Sequence, residues 1–299
     1  MTRARIGRVV VVGTVNMDTV VSVDTFALPG ETRIASTMQE LLGGKGLAQS
    51  IAAARFGSSS TLIAAVGDDP NATAARGAMR DAGVDDSLLR TVQVPTGRAI
   101  VTVSADGENS IVVNRGANGA LIGLTEVDLA SIASADVVLA QLEAGPEICG
   151  LAIDRAHESG VTVMLNAAPA AVLAAELLAR VDVLIVNEIE CEQLGGSARL
   201  AALAKAVVVT LGAAGAVLYR DGSAPLALPA LAVTPVDTTG AGDTFCGVFA
   251  AAVAQGSTLV EALQFALAAG SLATLRSGNV PAIPDRGAVL SAQLGQIPT

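Results

Sequence analysis

Short runs of aliphatic residues alternate with longer Ala-rich segments along most of the 299 residues. The runs are "RVVVVG", "TLIAAVG", "DVVLAQLE", "VTVMLNAAP", "VLIVNE" and "AVVVTLG", each apolar at consecutive positions. A strand of that kind is buried on both faces, as in a parallel sheet covered by helices on either side. Between the runs, "GLAQSIAAARFG" and "NATAARGAMRDAG" space their apolar residues as helices do. The pattern predicts βαβ units and a doubly wound α/β fold with a mostly parallel sheet. Two regions switch to period two: "TVVSVDTFALPGETRIASTMQE", and the pair "GRAIVTVS" and "SIVVNRG" joined by "ADGEN". They predict antiparallel strands outside the main sheet, a small β lid formed from about 14–40 and 96–115 on a single domain spanning 1–299. From "TGAGDTF" onward the chain reads as helical until Gly278 and Pro281 stop it.

Composition narrows the partners. With no Trp and one Tyr there is no aromatic platform for nucleic-acid bases. A net charge of −10 repels phosphate backbones and anionic membranes. The start "MTRARIGRVVVVG" reads as a first strand rather than a leader, because its apolar run breaks at Asn16 and Asp18. No apolar stretch reaches the roughly 20 residues of a membrane helix. Cys149, Cys191 and Cys246 share no CxxC spacing, which fits buried, unpaired thiols in a reducing cytoplasm.

The stretch "DTTGAGD", Asp237 to Asp243, sets glycines and an acid where a helix is about to start. Unpaired amides and the positive end of the helix dipole make such a place an anion cradle. Asp243 can face the same anion only with a neutral hydroxyl between them, which is the geometry of phosphoryl transfer to an alcohol. An ordinary Gly-rich helix start with Asp as a capping residue explains the segment equally well. Upstream, "LLGGKGLAQ" repeats glycines before a helix and adds the mobile charge of Lys45, yet the glycines would also serve close helix packing. Neither a Walker loop nor a GxGxxG fingerprint occurs. Asn16 and Asp18, at the end of the first strand, share one face and suit sugar hydroxyls, or are simply solvated. Glu143 and Asn166 also lie where apolar runs stop, the end of an open α/β sheet that binds ligands. Asn187, Glu188 and Glu190 open a helix after "VLIV"; they would hold Mg²⁺ through water near nucleotide phosphates, or only stabilise the helix start. His157 carries no assigned function.

Taken in order, "NMD", "GGKG", "AAARFG", "VGDD", "TGRAI", "GEN", "GAN", "QLE", "NAAPA", "NE", "TLGAAG", "DTTGAGDTF" and "SGNVPAIP" resemble the PfkB carbohydrate kinase family, in its ribokinase branch, over essentially the whole chain. The resemblance implies a Rossmann-like core, a β lid that clasps a second subunit in a homodimer, and ATP-dependent phosphorylation of a sugar hydroxymethyl group, with ribose as the first candidate. It makes Asp243 the catalytic base and the amides of Gly240, Ala241 and Gly242 the anion hole. Asn16, Asp18, Gly43, Gly44, Lys45 and Glu143 would contact the sugar. Asn187 and the segment from Thr210 through Gly212 to Gly215 would line the nucleotide, and Glu190 would help place Mg²⁺. Asp237 and Thr239, with carbonyls near Ala273, Arg276 and Gly278, would hold a monovalent cation, K⁺.

Four positions depart from the family pattern. Ala48 replaces an Asn that contacts the sugar, which opens the site to 2-deoxyribose, another sugar or a nucleoside. Leu267 stands near the adenine where a polar residue is common, Cys246 replaces Asn, and Ala282 stands in place of a Ser near the cation. A non-catalytic sugar-binding regulator and a nicotinamide-dependent oxidoreductase are the readings of other classes; retained Asp243 argues against the first and the missing fingerprint against the second.

Overall fold

The computed structural model describes residues 5–295. Its strands are β1 (Arg8–Val12), β2 (Asn16–Ser22), β3 (Thr37–Gly43), β4 (Ser59–Val66), β5 (Val84–Asp85), β6 (Leu89–Thr91), β7 (Gly97–Val103), β8 (Asn109–Asn114), β9 (Val137–Gln141), β10 (Thr162–Asn166), β11 (Val183–Asn187), β12 (Ala206–Thr210), β13 (Ala216–Arg220) and β14 (Leu226–Leu228). The helices are α1 (Lys45–Arg55), α2 (Pro70–Ala82), α3 (Glu126–Ala133), α4 (Pro146–Glu158), α5 (Ala175–Leu178), α6 (Glu188–Gln193), α7 (Ser197–Ala201), α8 (Ala241–Ala254), α9 (Leu259–Ala273), α10 (Asn279–Ala282) and α11 (Arg286–Gln293).

All six aliphatic runs form strands of one ten-stranded sheet, ordered β14-β13-β12-β11-β10-β9-β1-β4-β5 with β6 also on β4. Pairing is parallel from β12 to β5 and antiparallel only at the β12-β13-β14 edge. The alternation within each run divides its side chains between two cores. Val9 and Val11 of β1, with Ile185 of β11, pack beneath Leu47, Ile51, Phe249 and Leu263 of α1, α8 and α9. Val10, Val12 and Leu184 pack beneath Ile148, Ile153 and Leu200 of α4 and α7. Most of these side chains are fully buried, each worth about 1.5–3 kcal/mol relative to exposure. The sandwich is thus doubly wound.

The C-terminal helical region breaks where the sequence alone reads as continuous. Gly256, at φ 96°, ends α8, and a capping box of Thr258 with Glu261 restarts the chain as α9. α9 ends at Ala273, before Gly278, and Pro281 lies inside the short α10.

The lid is a separate sheet ordered β3-β2-β7-β8. β2 with β3 and β7 with β8 pair antiparallel, but the central β2–β7 pairing is parallel. Each pair is one excursion from the core, out and back, and the two outgoing strands lie side by side. Residues in register share a face, so Asp18, Ala99 and Val113 point one way together with Val20, Val101 and Ile111 two residues on.

Asp69 ties the lid to the core. Its side chain caps α2 through Ala72 N–H (2.9 Å) and accepts from Thr96 N–H and Thr96 Oγ1, both at 2.8 Å, just before β7. Those hydrogen bonds outweigh its desolvation and hold its carboxyl below the ordinary value of 3.8. The depressed value means that the stabilisation is complete above pH 3.8 and is lost as pH falls through the folded value. Asp69→Ala should therefore lower unfolding free energy by about 1–2 kcal/mol at pH 7, and urea titrations of the two proteins should converge only as pH falls below 3.8 through the folded value.

Candidate active site

The polar residues that end the parallel strands, Gln141, Asn166, Asn187 and Thr210, gather at one edge of the sheet, facing the first turns of α1 and α8. Two connected cavities lie there. The larger, about 430 Å³, is lined by Asn187, Thr210, Gly212, Gly215, Gly242 and Leu267, among others. The smaller, about 170 Å³, shares Asn187, Thr210 and Gly242 and adds Lys45, Glu190 and Asp243. Gly242 lines both at the start of α8, and Asp243 beside it faces the smaller one.

α8 begins after Gly240, whose φ of 74° suits glycine, and Asp243 lies in its first turn. Of the cradle amides, Ala241 N–H is turned toward the Thr238 carbonyl at 3.3 Å. Asp237, just upstream, accepts from Thr239 N–H at 2.9 Å and Gly278 N–H at 2.8 Å, which joins the loop before α8 to the loop before α10. Ala273 ends α9, and Arg276 and Gly278 follow in the connecting loop.

α1 starts at a second glycine pair. Gly44 is its N-cap at φ 91°, and a Cβ there would lie 2.7 Å from both Asn16 N and the Thr14 carbonyl oxygen. A Cβ on Gly43 would lie 2.0 Å from Asp18 Oδ2. Close packing and site construction are therefore one function of "GGKG", not alternatives. Asn16 and Asp18 do not end the first strand, as their sequence position implies; β1 stops at Val12, and after a three-residue link they open β2 of the lid. They still share one face, because the period of two holds on the new strand. Glu143 accepts from Thr14 Oγ1 and from the Lys45 backbone N–H (3.0 Å), so it caps α1.

Four charges interact here. Burial, then the carboxylates of Glu143 and Asp243, push Asp18 up to about 6, against the opposing effect of Lys45. Asp243 holds the Lys45 ammonium above its ordinary range, outweighing burial. Burial raises Asp243 itself, while Lys45 and a hydrogen bond from Gln49 oppose the rise. Asn187 and Glu190 cap α6 reciprocally: Glu190 N–H donates to Asn187 Oδ1 (2.7 Å) and Asn187 N–H donates to Glu190 Oε2 (2.9 Å). Both still line the smaller cavity. Cys246 is buried with its thiol raised well above normal, and the three cysteines are free and buried. His157 is exposed on α4, away from these residues.

Three polar residues at the site escape motif reading. Asn118 donates to Asn16 Oδ1 at 2.8 Å and brackets Val15 through its N–H (3.0 Å) and carbonyl (3.1 Å). Gln49 donates to Asp243 Oδ1 at 2.9 Å, and Gln141 donates to Gln49 Oε1 at 2.7 Å. Their signal was a buried amide within "GAN", "LAQ" and "QLE", which becomes visible only once the strands and helices converge.

The pfkB family carbohydrate kinase model matches residues 7–286. The chain belongs to this family. Its members are phosphotransferases with an alcohol group as acceptor. The chain is 37% identical to the ribokinase of Haemophilus influenzae over 291 residues, covering 92% of this chain and 95% of that one. It is 36% identical to the ribokinase of Bacillus subtilis over 284 residues, with 93% and 97% covered. Among solved structures, the ribokinase of Arabidopsis thaliana complexed with ribose and ATP superposes with a TM-score of 0.90 at 33% identity, covering 97% of this chain and 99% of that one. The ribokinase-like fold, a large mostly parallel sheet with a small lid sheet, is the one expected from the sequence.

In a carbohydrate kinase, an ionised Asp18 would accept hydrogen bonds from sugar hydroxyls at both oxygens, and protonation would turn one of those acceptors into a donor. With its pKa raised to about 6, the acceptor form prevails only above that pH. KM for the sugar should fall as pH rises from 5 to 7, and Asp18→Asn should remove that dependence, as initial rates across this range would show.

Proposed function

We propose that the protein is an ATP-dependent kinase of a pentose, ribose foremost, which transfers the γ-phosphoryl group to the hydroxymethyl oxygen. The observation that carries this is Asp243, in the first turn of α8: it lines the smaller cavity, which shares Gly242 with the larger cleft, and it interacts with the charges of Asp18 and Glu143. The ribose and ATP complex of the Arabidopsis relative supports the same pair of substrates.

Asn16, Asp18, Gly43, Gly44, Lys45 and Glu143 orient the sugar, and the larger cleft, with Asn187, Thr210, Gly212 and Gly215, takes the nucleotide. Its wall is apolar around Leu231, Phe245 and Leu267, suited to a purine ring. Asp243, whose raised pKa makes it a better base than an exposed Asp, removes the hydroxymethyl proton as the oxygen attacks the γ-phosphorus and ADP leaves. The amides of Gly240 and Gly242, that of Ala241 once it leaves the Thr238 carbonyl, and the Lys45 ammonium offset the charge on the transferring group.

Glu190 fits a role beside Mg²⁺, since its carboxyl lines the smaller cavity with Asp243 and no protein cage is needed when phosphates supply most ligands. Bound Mg²⁺ would neutralise phosphate charge. The two loops joined by Asp237 fit a monovalent cation such as K⁺, with oxygens of Asp237, Thr239, Ala273, Arg276 and Gly278. Asn279 Oδ1, buried without a partner against Gly240, supports that reading and offers an oxygen where Ala282 lacks one. The lid supports a homodimer: the face carrying Asp18 also carries Ile111 and Val113, which are 55% and 49% exposed and offer apolar surface to a second subunit. No helix among the described residues is long and apolar enough to cross a membrane; a cytoplasmic location and the absence of nucleic-acid partners remain part of this proposal.

ADP release from Mg-ATP should be fastest with ribose among ribose, 2-deoxyribose, fructose, adenosine and pseudouridine, and Asp243→Asn should lose about 100-fold or more in kcat. Preference for 2-deoxyribose or a nucleoside would assign Ala48 a changed specificity; full activity of Asp243→Asn would reject the mechanism. Sedimentation should show a dimer, converted to monomer by Ile111→Lys with Val113→Lys.

A further inference from the structure

A chain of three buried amides ends on the carboxylate of Asp243. Gln49 and Gln141 are fully buried and Asn166 is 7% exposed. Every orientation in the chain follows from one group that can only accept. The Ile185 carbonyl takes a hydrogen bond from Asn166 Nδ2 at 3.3 Å, which turns Asn166 Oδ1 toward Gln49. Gln49 Nε2 donates to that oxygen at 3.2 Å and to Asp243 Oδ1 at 2.9 Å. Both its protons are then used, and its Oε1 faces away to accept from Gln141 Nε2 at 2.7 Å. The chain stops at Gln141 Oε1, buried without a partner over Gly13, where a Cβ would lie 2.0 Å from it.

That unpaired oxygen is informative. An apolar side chain at position 141 would fill the space without burying an unmet acceptor, so packing alone does not call for glutamine. What Gln141 does supply is a donor that Gln49 must meet with its oxygen. A reversed Gln49 amide would set Oε1 against both the Asp243 carboxylate and Asn166 Oδ1, and Nε2 against the Gln141 amide group, losing three hydrogen bonds at once.

We propose that Gln49 is the positioning residue of Asp243 and that Gln141 locks the Gln49 amide, through a third hydrogen bond, in the donating orientation that Asn166 Oδ1 and the Asp243 carboxylate set. One carboxylate oxygen is thereby held on an N–H and the other is kept for the sugar hydroxyl, an inference that rests on the phosphotransfer reading above. When the hydroxymethyl O–H bond breaks, its proton goes to Oδ2 as the oxygen–phosphorus bond forms and the bond to ADP breaks. Gln49 remains a donor to Oδ1 throughout, so no side chain has to reorient during transfer.

The test compares Gln141→Met, Gln141→Glu and Gln49→Met in the full-length protein. The charged and titratable groups around Asp243 are Lys45 of α1, Glu143 after β9, Asp18 of β2, Glu190 of α6 and Cys246 of α8, and all are unchanged in these variants. Gln141→Met should lower kcat about tenfold with KM for sugar and nucleotide within about twofold. Losing the fixed N–H disfavours the carboxylate, so the acid limb of the kcat profile should move up by about one pH unit. Gln141→Glu, nearly isosteric, offers only acceptors when ionised and should reverse Gln49, costing about 100-fold in kcat; Gln49→Met should resemble Gln141→Met. Variants that lose thermal stability while kcat and the acid limb stay at wild-type values would overturn the proposal, and so would Gln141→Met alone at wild-type values if the others fail to fold. If the wild-type protein phosphorylates no sugar, the reading beneath has failed, yet the lock is still testable by carbon-13 NMR of labelled aspartate. The Asp243 carboxyl, assigned with Asp243→Asn, should titrate higher in Gln141→Met, and an unmoved midpoint would overturn the lock.

Discussion

Helices α1 and α8 approach each other closely at Gly247, where a Cβ would lie 2.3 Å from the Gln49 carbonyl oxygen and 2.6 Å from Ala52 Cβ. Only glycine allows that distance. The two helices start at the same edge of the sheet, and each contributes from its first turns: Lys45 and Gln49 from one, Asp243 from the other. A larger residue at 247 would push the helices apart and separate Gln49 from Asp243, so the packing of the apolar core and the geometry of the site are set by the same contact. The glycines at 43, 44 and 46 repeat this device, bringing α1 against the segment from Gly13 to Asn16 and leaving room for the Asp18 carboxylate.

The charges assembled there are costly as well as useful. Burial first, and then repulsion from neighbouring carboxylates, is why Asp18 and Asp243 both hold their protons more tightly than exposed carboxyls. Lys45 is the positive group that opposes the rise at both carboxyls. Glu143 meets hydrogen-bond donors of Thr14 and Lys45, and Asp243 meets Gln49, so these two carboxylates have fixed partners. A site held in this tension favours a ligand that brings hydroxyl groups to unmet carboxylate oxygens and leaves room for a phosphoryl group at the amides of α8.

Much of this was legible in the sequence. The six aliphatic runs marked the sheet because burial on both faces leaves no alternation to misread, and "DTTGAGD" marked the start of α8 because a glycine at positive φ and a first-turn acid each have a local cause. What was not legible depends on contacts distant in sequence. Asn16 and Asp18 read in the sequence as the end of β1, since nothing local shows that the chain turns after Val12 to begin a lid strand. The parallel pairing of β2 with β7 depends on two excursions more than 70 residues apart meeting side by side. Gln49, Gln141 and Asn118 look like ordinary polar residues until Asp243 and Asn16 arrive beside them from elsewhere in the chain.

Under the proposed function, the sugar hydroxymethyl group and the γ-phosphoryl group meet at Asp243. A crystal structure of the protein with ribose and a non-hydrolysable ATP analogue examines that meeting directly. The account predicts the nucleotide in the cleft lined by Thr210 and Leu267, its terminal phosphate at the first turn of α8, and the hydroxymethyl oxygen within hydrogen-bond distance of Asp243. Ribose bound away from Asp18 and Asp243, or a nucleotide whose terminal phosphate points away from α8, would contradict it.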